Sequence, residues 1–137
     1  MIYLLDTNIC IYILRKQPTE VLQHFQQVSI GNIGVSCITV SELAFGVSKS
    51  RWSERNKAAL EQFLMSLTIY PFDYHAAFIY GTLRTDLERK GTPISNPDML
   101  IAAHALSQNL ILVTNNEREF SRILNLRVEN WINIPEE

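Results

Sequence analysis

The chain has 137 residues, of which 47% are apolar and 19% charged, with a formal net charge of −2. That length and composition predict one globular domain spanning residues 1–137 and exclude a disordered chain. The slightly acidic balance excludes a uniformly basic nucleic-acid binder, while leaving room for a local basic rim or a basic partner.

In chain order, residues 2–5 form a short apolar run closed by Asp6-Thr7-Asn8, the pattern of a buried strand. Helices are predicted over 9–15 and 19–27, with Pro18 as a break or helix start. A strand over 33–36 follows Gly31-Asn32, and a helix over 40–47 ends near Gly46. Over 54–67 an amphipathic helix places Leu60, Phe63, Leu64 and Leu67 on one face. A strand is expected over 68–72. The helix predicted over 74–90 takes Ala77, Phe78, Gly81 and Leu87 as its apolar spacing and Gly91 as its stop. After a turn-rich loop, the helix over 98–107 is nearly all apolar beyond its first turn, which predicts burial. A buried strand over 110–114, a short helix from 115 to 120 and an edge strand over 126–128 complete the series. The segment Pro135-Glu136-Glu137 is expected to fray. Strands alternating with helices predict an α/β fold with a central, mainly parallel sheet covered on both faces.

Cys10 and Cys37 lie in apolar stretches and read as packing residues of a reducing compartment. His24, His75 and His104 are scattered and make no ligand pair. The N-terminus lacks the basic lead and cleavage region of a signal peptide, and no apolar run approaches the ~20 residues of a membrane span. A cytoplasmic protein without membrane contact is expected.

Strand ends in an open α/β sheet share one crevice, where ligands bind. Asp6 follows the first strand, either as a helix cap or as a metal-binding carboxylate steadied by Thr7 or Asn8. Thr39 to Glu42 has the form of a capping box with Thr39 as cap, and Gly46 beyond it allows close approach. Ser95-Asn96-Pro97-Asp98 opens the apolar helix, where a carboxylate favours the positive end of the helix dipole but has little water around it. Thr114-Asn115-Asn116-Glu117 is a third capping-box shape, and Glu119 follows it either on a solvated face or within reach of the site. Capping explains each motif singly; it does not require their convergence. Several carboxylates in one crevice repel each other unless a cation or proton joins them. The pattern points to a divalent-metal site and a metal-dependent nuclease.

These residues resemble the PIN domain, and within it the VapC-type toxin ribonucleases of type II toxin–antitoxin pairs. The resemblance covers essentially the whole chain. It rests on Leu4-Leu5-Asp6-Thr7-Asn8, Ser41-Glu42-Leu43 with Gly46, Gly91-Thr92-Pro93-Ile94, and the run from Asp98 to Ala105. Leu112-Val113-Thr114-Asn115-Asn116, Glu119-Phe120 and Asn130-Trp131 complete it. It implies a PIN-like α/β/α sandwich, with catalytic positions at Asp6, Glu42, Asp98, Asn116 and Glu119 and metal ligands at Asp6, Glu42 and Asp98. Thr7, Asn8 and Thr114 would support the site or touch phosphate. A fourth acidic position, often Asp in the family, is Asn116 here, which lowers the negative charge and puts a second metal in doubt.

The resemblance further implies Mg²⁺ or Mn²⁺ as cofactor and endonucleolytic hydrolysis of RNA to 5′-phosphate and 3′-hydroxyl ends. The expected target is a tRNA, with the initiator cut in its anticodon region as the candidate, and translation inhibited. A VapB-type antitoxin and a homodimer are implied as partners, with Phe25, Trp52 and Phe63 as candidate surface or core aromatics. Candidate RNA contacts are Lys49, Arg51, Arg55 and Lys57, then Arg84, Arg89 and Lys90, and Arg118. Two other readings compete. A phosphatase is disfavoured because the second acid expected two residues after Asp6 is Asn8. A catalytically inactive PIN-like RNA- or protein-binding module draws its support from Asn116.

Overall fold

The computed structural model describes residues 2–132. The first strand, β1 (Tyr3–Leu5), leads into α1 (Thr7–Arg15) and α2 (Thr19–Gln27). β2 (Ile33–Ser36) then runs directly into α3 (Cys37–Ser48), followed by α4 (Ser53–Met65) and β3 (Thr68–Tyr70). Next come α5 (Tyr74–Arg89), α6 (Asn96–Ser107), β4 (Ile111–Val113), α7 (Glu117–Phe120) and β5 (Val128–Glu129). The five strands form one sheet in the order β3-β2-β1-β4-β5, and every pairing is parallel. The chain steps outward from β1 to β3, then returns across β1 to lay down β4. The order therefore reverses at the β1–β4 pair, where the strands' C-terminal ends leave a crevice.

Alternation along the strands divides the core between the two faces. Leu4 and its register partner Leu112 pack with Leu83 and Leu87 of α5 and with the buried residues of α6. Leu5 and Val113 face the other way, joining Ile33 and Val35 against Ile9, Val21, Leu43 and Leu60 from α1 to α4. Trp131 is fully buried on this second face, its ring stacked on His24 at 5.7 Å. The sheet is thus covered on both sides, as an α/β/α sandwich.

Three local expectations are corrected. α3 begins at Cys37 rather than at 40, because the Ser36 side chain accepts the Ile38 N–H at 3.1 Å and caps it. Thr39 is therefore a buried residue of the first turn, not the cap. On α5 the buried face is Ala76, Leu83 and Leu87, with Ile79 and Tyr80 packed beside them. Ala77, Phe78 and Gly81 sit one residue out of phase with that stripe and face outward. Gly91 ends the helix with φ +68°, a conformation that suits glycine. The expected edge strand lies slightly later, at Val128–Glu129. Pro135 to Glu137 fall outside the described residues.

Gly34 marks a close approach between β2 and β3. A Cβ there would collide with the Tyr70 ring and come within 3.0 Å of the Thr68 carbonyl oxygen. Gly34→Ala is expected to destabilise the protein by roughly 1–3 kcal/mol, the usual cost of overpacking a filled site. An unchanged thermal midpoint would show that the Tyr70 ring moves aside freely.

Candidate active site

Helices of a parallel βα sheet run back against the strands, so their N-termini gather at the strands' C-terminal edge. α1 and α3 start there directly after β1 and β2, and α6 starts there before leading down into β4. Asp6 follows β1, Thr114 to Asn116 follow β4, Glu42 lies on α3, and Asp98 sits in the first turn of α6.

Asp6 is 4% exposed. Its carboxylate accepts the Ile9 N–H at 2.8 Å, so it does cap α1, and it also accepts the Thr114 hydroxyl. Burial pushes its pKa up from the usual 3.8 to about 6. The Thr114 and Ile9 hydrogen bonds oppose that rise, and the charges of Asp98 and Glu42 add to it. Capping and charge crowding thus coexist on one side chain.

Glu42 is half-buried and accepts the Thr7 hydroxyl at 2.5 Å, and Thr7 Oγ1 lies 3.4 Å from Thr39 Oγ1. The expected capping box is not formed; with Ser36 as the cap, Glu42 is turned toward the helix that follows Asp6. Asp98 is raised by burial first and then by the charges of Glu119 and Glu42, against a hydrogen bond with Ser95. Asn116 Nδ2 donates to Glu119 Oε2 at 2.7 Å. The third capping box is also absent: Thr114 Oγ1 accepts the Asn116 N–H at 3.0 Å, and Asn116 precedes α7 without a side-chain cap bond. Asn8 lies exposed in the first turn of α1.

The donor set fits a hard divalent cation. The side-chain groups named are carboxylates, hydroxyls and the Asn8 and Asn116 amides, which offer oxygen, and such ions prefer oxygen ligands. The ion pairs among the described residues join Lys57 to Glu61 and Arg84 to Glu88, so neither neutralises these carboxylates. Among the described residues no three His, Cys, Asp or Glu side chains already close around one point. The carboxylates are electrostatic neighbours in an open arrangement. That suits an ion such as Mg²⁺, which usually keeps several waters and takes one or two carboxylates.

The PIN-domain family model matches residues 3–125. A relative from Rickettsia felis, Ribonuclease VapC2, is 48% identical over 132 residues, 96% of this chain and 98% of that protein. The chain belongs to the VapC ribonuclease family of PIN-domain proteins. A tRNA(fMet)-specific endonuclease VapC from Shigella flexneri is 41% identical over 129 residues, covering 94% of this chain and 97% of that one. A chain of the solved VapBC2 complex of Rickettsia felis with promoter DNA superposes with a TM-score of 0.90 at 47% identity, over 96% of this chain and all of that one.

In this VapC-family chain the basic candidates are not equivalent. Lys49 lies over the Phe45 ring at 4.7 Å and lines a groove of about 470 Å³ that also contains Glu42, Gly46 and Asn56. Arg15, which the sequence reading passed over, lines the same groove from α1. Arg51 lies over Trp52 at 5.1 Å. Arg84 is held on its own helix by Glu88 at 3.0 Å and the Tyr80 hydroxyl at 2.9 Å, and Arg89 lines a shallow hollow with Phe78 and Gly81. Neither shares the Glu42 groove. Phe25 and Phe63 pack against each other at 6.1 Å beside the core, whereas Trp52 is exposed. The free cysteines are the buried Cys10 and the half-buried Cys37. Among the described residues no helix is long and apolar enough to cross a membrane.

Proposed function

We propose that this chain is the toxin of a type II toxin–antitoxin pair, a metal-dependent endoribonuclease acting as one domain in the cytoplasm. The observation that carries the reading is the meeting of Asp6, Glu42 and Asp98, with the Asn116–Glu119 pair, at the sheet's reversal point, with no ion pair to them among the described residues. A bound Mg²⁺ or Mn²⁺ supplies Lewis-acid activation of the phosphodiester and of the attacking water. Asp6 and Asp98 would hold it, and Glu42, oriented by Thr7, would complete the carboxylate side. Thr114 fixes the Asp6 carboxylate, and Asn8 offers an exposed amide toward phosphate. Glu119 accepts a proton from the incoming water, with its orientation set by the Asn116 amide.

The substrate reading is a tRNA, supported by the name of the Shigella flexneri relative, with the initiator tRNA first among candidates. Arg15 and Lys49 give the groove beside Glu42 a basic side for the RNA backbone, so binding should weaken steeply as salt rises. The partner reading is a VapB-type antitoxin, supported by the VapBC complexes among the structural neighbours, and a homodimer is the expected assembly. RNA cleavage assays with and without metal test the activity, and co-purification with the product of an adjacent reading frame tests the partner. The inactive binding module is disfavoured by the three carboxylates.

Asn116→Asp tests the departure from the family pattern. It would exchange the 2.7 Å amide–carboxylate bond to Glu119 for a repulsion that a cation relieves. Calorimetric Mn²⁺ affinity is expected to rise several-fold, while the metal-free protein loses thermal stability at pH 7.5. Affinity that stays the same or falls would place residue 116 outside the ligand set.

A further inference from the structure

A buried histidine outside the carboxylate cluster joins the two helices that carry two of its members. His104 is fully buried on α6, and its Nδ1 lies 2.7 Å from Ser36 Oγ. Ser36 is equally buried, ends β2 and caps α3. Its oxygen accepts the Ile38 N–H and keeps a second lone pair for a ring N–H. The Gln108 amide nitrogen, a donor, lies 3.5 Å from Nε2, which makes Nε2 the acceptor and assigns the ring proton to Nδ1, donating to Ser36 Oγ. The edges of Tyr70 and Phe72 close on the ring at 6.4 and 5.5 Å.

The spacing on both sides of this bond is the same. Asp98 lies six residues before His104 on α6, and Glu42 lies six residues after Ser36 on α3. Six residues are about 9 Å of helix, so the bond ties α3 to α6 at a fixed axial offset from each carboxylate. A slip of one residue is about 1.5 Å. Metal–oxygen distances tolerate about 0.2 Å. An apolar side chain would fill the same volume without fixing that offset.

We infer that His104, through its bond to Ser36, is a positioning residue that sets Glu42 against Asp98 for metal binding. This rests on the nuclease reading above, and its test separates the two. His104→Asn keeps an amide near the Nδ1 position, whereas His104→Gln carries its amide out toward the Nε2 position and loses Ser36. Both are polar, and both remove ring packing against Tyr70 and Phe72, so a purely structural role would affect them alike. Mn²⁺ affinity of the full chain without RNA, read by calorimetry, is expected to stay near native in H104N. It should fall roughly tenfold in H104Q, in line with losses on removing groups that orient metal ligands. The kcat for RNA should follow the same order, with KM little changed.

Ser36→Thr, which keeps the hydroxyl, and Ser36→Ala, which removes it, ask the same question from α3 should a His104 variant fail to fold. S36T is expected near native and S36A to lose Mn²⁺ affinity. Equal affinity in H104N and H104Q, or affinity that simply tracks the thermal midpoint, overturns the proposal while leaving the nuclease intact. Absence of Mn²⁺ binding by the native chain overturns both.

Discussion

Asp6→Asn is expected to abolish RNA cleavage and yet to make the metal-free protein more stable at neutral pH. The loss should reach at least about 10³-fold, since the substitution removes the most buried of the carboxylates proposed to hold the metal. The gain in stability follows from the same crowding. Asp6 has its folded-state pKa raised from 3.8 to about 6, first by burial and then by Asp98 and Glu42. A group raised in this way favours folding below its unfolded pKa, and that contribution is lost as pH climbs through about 6. At pH 7.5 the ionised carboxylate therefore costs about 3 kcal/mol, a conversion good to order of magnitude. Asn retains the capping role toward the Ile9 N–H without the charge. The thermal midpoint in chelator should rise by roughly 5–10 °C at pH 7.5 and by much less at pH 4.5. A lower midpoint at neutral pH would mean that Asp6 is compensated by a cation the structure does not place there.

Removing the metal is expected to have the second-largest effect. Chelation should take cleavage to background, and Mn²⁺ or Mg²⁺ should restore it. The same ion should stabilise the fold by joining carboxylates that otherwise repel, so its effect is a linkage between metal and proton. Asp6 and Asp98 both have raised pKa values, and protons displace metal as the pH falls. The Mn²⁺-induced rise in thermal midpoint should therefore be large at pH 7.5 and small at pH 5. An increment independent of pH would place the ion away from these two carboxylates.

Much of the architecture could be read from the chain because its signals agree at several levels. The apolar run of α6, broken only by His104 after its first turn, predicts a buried helix, and Met99 and Ile101 to Ala105 are buried. The face of α4 carrying Leu60, Phe63, Leu64 and Leu67 meets the core as its spacing requires. Asp6 and Asp98 were legible because each stands where an apolar element meets a helix start. The start of α3 was not, because Ser36 and Thr39 are both good caps and only the extent of β2 decides between them. On α5 the small residues Ala77 and Gly81 suggested packing, yet the stripe through Ala76, Leu83 and Leu87 is the one that meets the sheet. Arg15 gave no signal, because a basic residue in a helix's last turn is ordinary. His104 and Ser36 are separated by 68 positions, and no local pattern reports such a contact.

The most direct test of the central claim uses purified, partner-free protein with initiator tRNA and with total tRNA, with and without Mn²⁺, beside Asp6→Asn. Discrete fragments bearing 5′-phosphates, dependent on the metal and absent from the variant, are the expected result. Intact RNA of both kinds after incubation with native protein shown by calorimetry to hold Mn²⁺ would contradict the tRNA endonuclease account.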